Sequence, residues 1–216
     1  GLVAYTAGGQ GQNVMDSNPA VLTGAWCYVK VSSDREWFQR RIERLEFLSR
    51  YMEQRDVDAD GINAIAVNPE VLREARTTLV LTPHPGEMGR LTGLTSSDVQ
   101  RNRLEVAGEF AKKYGVVLAL KGAGTVVACP DGSVYINSTG NPGMATAGTG
   151  DVLCGVIAGL AAQGMDPARA ARLGVYLHGL AGDLAAAEVG EAGMIATDLI
   201  VYLPAAINAL TDPRGG

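Results

Sequence analysis

The stretch Asn141-Pro142-Gly143-Met144-Ala145-Thr146-Ala147-Gly148-Thr149-Gly150-Asp151 is a glycine-rich loop that runs straight into an apolar segment reading as a helix. Without bulky side chains, backbone N–H groups approach a ligand closely. The helix start adds unsatisfied N–H groups and the positive end of its dipole. Together these form a phosphate or oxyanion site. Asp151 stands where loop meets helix. A carboxylate beside an anion cradle suits removal of a proton from a hydroxyl that attacks a phosphate. The same residue type also serves as a plain N-cap. Lys121-Gly122-Ala123-Gly124-Thr125 offers a second anion-binding turn, with a cation, small residues and a hydroxyl. It is not a Walker A loop, because the lysine precedes the glycines and no helix follows; a tight turn with an exposed lysine is the alternative. His84 lies between Pro83 and Pro85, which restrict its backbone. A rigid histidine at a strand end suits substrate binding or proton handling, or is a solvated turn. His178 sits within an apolar helical stretch and reads as a packed helix residue.

The elements that must position these residues alternate between strand and helix. Residues 2–6 and 25–31 read as strands, with a helix over 35–54 carrying Phe38, Ile42, Leu45, Leu48 and Met52 at three- and four-residue spacing. A short helix follows Gly61, and another spans 69–76. Residues 78–82 form a β-branched, apolar run that fits a buried parallel strand ending at Pro83-His84-Pro85-Gly86-Glu87. A helix over 97–114 and a strand over 116–120 lead to the lysine turn. Pro130-Asp131-Gly132 between apolar runs predicts a hairpin. Helices over 152–163, 167–187 and 196–210 complete the chain, with Gly164 and Gly190 as stop signals. This order predicts one α/β domain over residues 1–216, with a mostly parallel sheet flanked by helices. Ligands bind such sheets at the carboxyl ends of the strands. The Pro83–Glu87 turn, the Lys121–Thr125 turn and the Gly148–Asp151 loop should therefore converge.

Composition narrows the function. The chain has 216 residues, is 47% hydrophobic and carries a net charge of −5, which fits a folded domain and disfavours nucleic-acid or membrane-surface partners. No run is long and apolar enough for a membrane span, and the first residues lack the charged head and apolar run of a signal peptide. The three cysteines Cys27, Cys129 and Cys154 are far apart in apolar settings, which predicts thiols in a reducing, cytoplasmic compartment. The two histidines and the cysteines lack the spacing of a zinc site. Asp56-Val57-Asp58-Ala59-Asp60 begins like a calcium loop, but the remaining ligand positions are missing.

Thr82-Pro83-His84-Pro85-Gly86-Glu87, Leu120-Lys121-Gly122-Ala123-Gly124-Thr125 and the loop from Gly140 to Asp151 resemble the ADP/ATP-dependent NAD(P)H-hydrate dehydratases of the ribokinase-like superfamily. Asp58-Ala59-Asp60-Gly61-Ile62-Asn63-Ala64 and Ala196-Thr197-Asp198-Leu199-Ile200 also match, so the resemblance runs from about Asp56 to the C-terminus. It implies a carbon–oxygen lyase of metabolite repair. The terminal phosphate of ADP or ATP moves to the ring hydroxyl of hydrated NADH or NADPH, and phosphate is then eliminated to restore the dihydronicotinamide. The resemblance implies that His84, Gly143, Met144 and Asp151 contact the hydrated substrate, with Asp151 as base. It assigns Lys121, Gly122, Ala123, Gly124, Thr125, Gly148, Thr149 and Gly150 to the nucleotide. Mg2+ is expected with the nucleotide, and a homo-oligomer is expected of the chain. The family's G-P-G-L-G-type loop is missing between Val31 and Asp56, so the N-terminal part is abbreviated. A ribokinase-like kinase of a vitamin precursor and a nucleotide-binding subunit without turnover are the competing readings.

Overall fold

A strand buried on both faces needs a helical layer on each side, and β2 (Val117–Leu120) is such a strand, with all its residues buried. Its side chains alternate between two cores. Leu118 and Leu120 join one cluster with Met88, Val99 and Phe110. Val117 and Ala119 join another with Leu153, Ile157 and Val175. That period of two is the pleat of the strand expressed as packing. The computed structural model describes residues 59–75 and 77–211. The expected strands at 2–6 and 25–31, the helix over 35–54 and the side chains of the acidic segment 56–60 lie outside the described residues.

The described elements are α1 (Ala59–Val67), a 3-10 helix (Pro69–Glu74), β1 (Val80–Leu81), α2 (Pro85–Thr92), α3 (Ser96–Arg101), α4 (Arg103–Tyr114), β2, β3 (Val126–Ala128) and β4 (Val134–Ile136). A 3-10 turn (Pro142–Met144), α5 (Thr149–Ala162), α6 (Pro167–Val189), a second 3-10 turn (Glu191–Gly193) and α7 (Ala196–Thr211) follow. The four strands lie in the order β1-β2-β3-β4. β1 and β2 are parallel, with Leu81 opposite Leu118. β3 runs antiparallel to β2 and to β4. Among the described residues the sheet is therefore mixed, and its parallel pairing is β1 with β2. The Pro130–Gly132 hairpin forms as expected: Gly132 N–H donates to Cys129 O and Ser133 N–H to Asp131 Oδ1, and Gly132 has φ +89.

Several boundaries move. The helix expected over 97–114 is two helices, because Asn102 takes φ −123, ψ 37 between them. The helix expected over 69–76 is a 3-10 helix ending at Glu74. Only Val80 and Leu81 of the run 78–82 enter the ladder. α5 begins at Thr149, ahead of the apolar run, and α6 extends to Val189 after an Asp166 N-cap.

α5, α6 and α7 form the third layer, sharing a core of Val152, Val156, Leu177, Ala181, Leu199 and Leu203. Close approach of α5 and α6 depends on Gly174, where a Cβ would lie 2.6 Å from Ile157 Cγ1. Gly174→Leu should therefore overpack this seam and destabilise the fold by roughly 3 kcal/mol. The expected readout is a lower urea midpoint at unchanged slope.

Candidate active site

α2 starts with a self-contained capping box. His84 Nδ1 accepts from Gly86 N–H at 3.0 Å and Glu87 N–H at 3.2 Å. Glu87 Oε2 accepts from His84 N–H at 2.6 Å. Pro85 supplies a preset φ in the first turn and has no N–H to satisfy. Accepting at Nδ1 leaves the proton of a neutral ring on Nε2, which lies 3.3 Å from Glu87 Oε1. The imidazole is thus fixed in rotation while half of it stays exposed. Glu87 itself is buried.

Lys121 follows β2, and its N–H donates to Pro83 O at 2.8 Å, stitching the lysine turn to the His84 turn. Its Nζ lies 3.8 Å from Glu87 Oε2. On the other side it meets the start of α5, where a Cβ on Gly150 would be 3.2 Å from Nζ. Glycine at 150 therefore keeps the space the ammonium occupies. Thr125 Oγ1 donates to Gly122 O within the same turn.

Gly148 occupies the N-cap position of α5 at φ +86, a conformation that favours glycine. Asp151 sits in the first helical turn, third from the start, so it is not the cap. Its side chain is exposed, on the Gly148 side. Thr149 Oγ1 donates to Met144 O and Thr146 O, both at 2.9 Å, and closes the loop onto the helix. Thr82 Oγ1 and Cys154 Sγ, 3.1 Å apart, join the end of β1 to the same helix.

The lysine turn, the 140–145 loop, the start of α5 and one face of α6 enclose a cavity of about 520 Å³. Lys121 to Thr125, Met144, Thr149 and Gly150 line it. His84, Gly143, Gly148 and Asp151 do not, although Gly143, Gly148 and Asp151 are sequence neighbours of lining residues and His84 follows Pro83, whose carbonyl holds the Lys121 N–H. Among the described lining residues, Lys121 carries the one formal charge. An ammonium and a helix N-terminus, with no carboxylate among the lining residues and Glu87 behind the lysine, make an anion-accepting cavity in a chain of net charge −5. The expected convergence of the three turns is observed.

Sequence reasoning missed the α6 side of the site. Asp183 Oδ2 accepts from Gly140 N–H at 2.9 Å and Oδ1 from Asn141 Nδ2 at 3.1 Å. Asn141 Oδ1 in turn accepts from Gly143 N–H at 3.0 Å. Gly179 and Gly182 make a notch in the helix, where a Cβ would lie 2.2 Å from Thr139 Oγ1 and 2.4 Å from Met144 Sδ. Two glycines three apart inside a long helix were the available signal. Among the described residues no group of three or more His, Cys, Asp or Glu forms a metal cluster. No described helix is long and apolar enough to cross a membrane.

The family model described as NAD(P)H-hydrate dehydratase matches residues 45–205. The bifunctional NAD(P)H-hydrate repair enzyme Nnr of Moorella thermoacetica is 55% identical over 167 residues, covering 77% of this chain and 32% of that protein. The crystal structure of ADP/ATP-dependent NAD(P)H-hydrate dehydratase from Bacillus subtilis, co-crystallised with ATP/Mg2+, is similar with TM-score 0.59 and 40% identity. That match covers 61% of this chain and 47% of the other. A ribokinase-like superfamily protein from Enterococcus faecalis matches with TM-score 0.57 and 30% identity, over 71% of this chain and 52% of its own. The fold is ribokinase-like. The chain spans about a third of the length of the Moorella relative.

One cavity residue titrates in an accessible range. His178 Nε2 lies 2.9 Å from Thr149 O. A carbonyl only accepts, so Nε2 carries the proton. Burial pushes the His178 pKa down to about 4; the Thr149 bond opposes this and the Lys121 charge adds to it. An unfolded histidine takes up its proton near pH 6.5, whereas the folded one refuses it until about pH 4. Folding stability contributed by this group therefore falls as pH drops through that window, by roughly 3 kcal/mol in total. The difference in unfolding free energy between the parent and His178→Gln, followed by denaturant titration from neutral to acid pH, should show this slope.

Proposed function

The chain belongs to the NAD(P)H-hydrate dehydratase family, and from that premise we propose that it repairs hydrated NADH or NADPH with ADP or ATP as phosphoryl donor. The observation that carries the reading is the Lys121 ammonium, held against Gly150 at the start of α5 and opening onto the cavity. Lys121 to Thr125 with Gly148, Thr149 and Gly150 bind the nucleotide phosphates. His84, Gly143, Met144 and Asp151 hold the hydrated ring at the rim. Asp151 takes the proton of the ring hydroxyl as its oxygen bonds to the terminal phosphorus. The bond from that phosphorus to the nucleotide's bridging oxygen breaks, and AMP or ADP leaves. The new C–O–P ester then loses phosphate, the neighbouring ring carbon loses a proton, and the double bond returns. Lys121 and the α5 N-terminus stabilise the charge on the transferring group.

Mg2+ would arrive with the nucleotide at the cradle of Lys121 to Thr125 and Gly148 to Gly150 and would offset phosphate charge there. The reading also makes the enzyme cytoplasmic and self-associating. The thiols Cys129 and Cys154 and the exposed Val201 and Ile195 of the α7 region support it.

The test combines hydrated NADH, ADP or ATP and Mg2+, and follows the near-ultraviolet absorbance of dihydronicotinamide. Recovery is expected. Asp151→Asn should lower kcat about a hundred- to ten-thousandfold while leaving nucleotide affinity nearly intact. Near-normal turnover by this variant would remove Asp151 from the role of base. Phosphorylated product without recovered absorbance would instead indicate a kinase, and nucleotide binding with neither product a subunit without turnover.

A further inference from the structure

The Lys121–Thr125 turn wraps around a side chain that belongs to the crossover between β1 and β2. Arg103, the first residue of α4, donates from Nη2 to Leu120 O at 2.9 Å and to Gly124 O at 3.2 Å. Its Nη1 donates to Gln100 Oε1 at 3.0 Å. A Cβ on Gly122 would stand 2.2 Å from Nη1, so the turn closes on the guanidinium and a side chain there would displace it. Gly122 adopts φ +141, which a glycine reaches readily. Partial burial in this pocket holds the Arg103 pKa below its ordinary value, yet an arginine stays charged throughout the physiological range.

These bonds decide which edge of the turn faces the ligand. In a planar trans peptide the C=O and N–H point in opposite directions. Opposite Gly124 O, which Arg103 binds, is the N–H of Thr125. Opposite Gly122 O, which the Thr125 hydroxyl binds, is the N–H of Ala123. Both Ala123 and Thr125 line the cavity. Carbonyls carry partial negative charge and would repel a phosphate, so their capture from behind matters as much as the N–H groups in front.

We infer that Arg103 is the positioning residue of the nucleotide site: its guanidinium fixes the Lys121–Thr125 turn with carbonyls averted and N–H groups presented to the phosphates. The inference rests on the nucleotide reading above and goes beyond it, because Arg103 itself does not line the cavity. Lysine is no substitute, since its ammonium lacks the planar fork whose Nη2 holds both carbonyls while Nη1 is anchored on Gln100 Oε1.

The test measures ADP and ATP binding calorimetrically with the full chain and its Arg103→Lys, Arg103→Gln and Arg103→Ala variants, alongside steady-state kinetics. The dissociation constants should rise about ten- to a hundredfold in all three. The nucleotide KM should rise in step, while the KM for hydrated NADH stays near the parent value. Added guanidinium ion should restore affinity to Arg103→Ala, an effect that a residue needed only for folding would not produce. Variants that bind nucleotide like the parent, or that lose only thermal stability, would overturn the role of Arg103. A parent chain that binds neither nucleotide would instead overturn the nucleotide reading itself.

Discussion

The ammonium of Lys121 is the point on which this end of the molecule depends. It is the one formal charge among the described residues lining the cavity, and a buried carboxylate stands 3.8 Å behind it. A buried carboxyl such as Glu87 needs partners, because burying a polar group unpaired is costly. Its partners are the His84 N–H, the His84 ring and Lys121. The α2 cap and the position of the cation are therefore one structure. The backbone bond from Lys121 N–H to Pro83 O holds the two turns in register, and Gly150 leaves the ammonium room on the far side.

Around this pair the three layers divide the labour. The β2 side chains alternate between two helical cores, so the strand cannot slip by one residue without exchanging both sets. That fixed register sets where Lys121 emerges. α4 reaches the lysine turn from one side through Arg103, and α6 reaches the 140–144 loop from the other through Asp183. Neither contact comes from a neighbour in sequence, and neither Arg103 nor Asp183 lines the cavity.

Local chemistry was legible in the sequence where it is written in consecutive residues. The lysine turn, the hairpin at Pro130–Gly132, the loop before α5 and the apolar strand β2 all announce themselves through residue type. The convergence of the three turns follows from strand order and polarity. The contributions that stayed hidden are long-range. Asp183 looks like an ordinary helix acid, and Arg103 like a residue on a solvated helix face, until tertiary packing brings them to loops 43 and 21 residues away. By residue type the Pro83–Glu87 segment reads as a turn, because its prolines and glycine outweigh the capping box that starts α2. Asp151 invited the cap reading, but Gly148 occupies that position.

The glycine notch of α6 has an evolutionary meaning. Where Thr139 and Met144 press against Gly179 and Gly182, the facing surface is main chain. A side-chain wall can be trimmed or reshaped by substitution in either direction. A main-chain wall has nothing left to remove, so a change at Gly179, which lines the cavity, can only take volume away, and one at Gly182 can only push on Met144. Drift in this part of the pocket is therefore one-way: the lineage can make it narrower but not roomier. Broadening of ligand choice comes instead from lining side chains with size to lose, such as Leu153 and Val175.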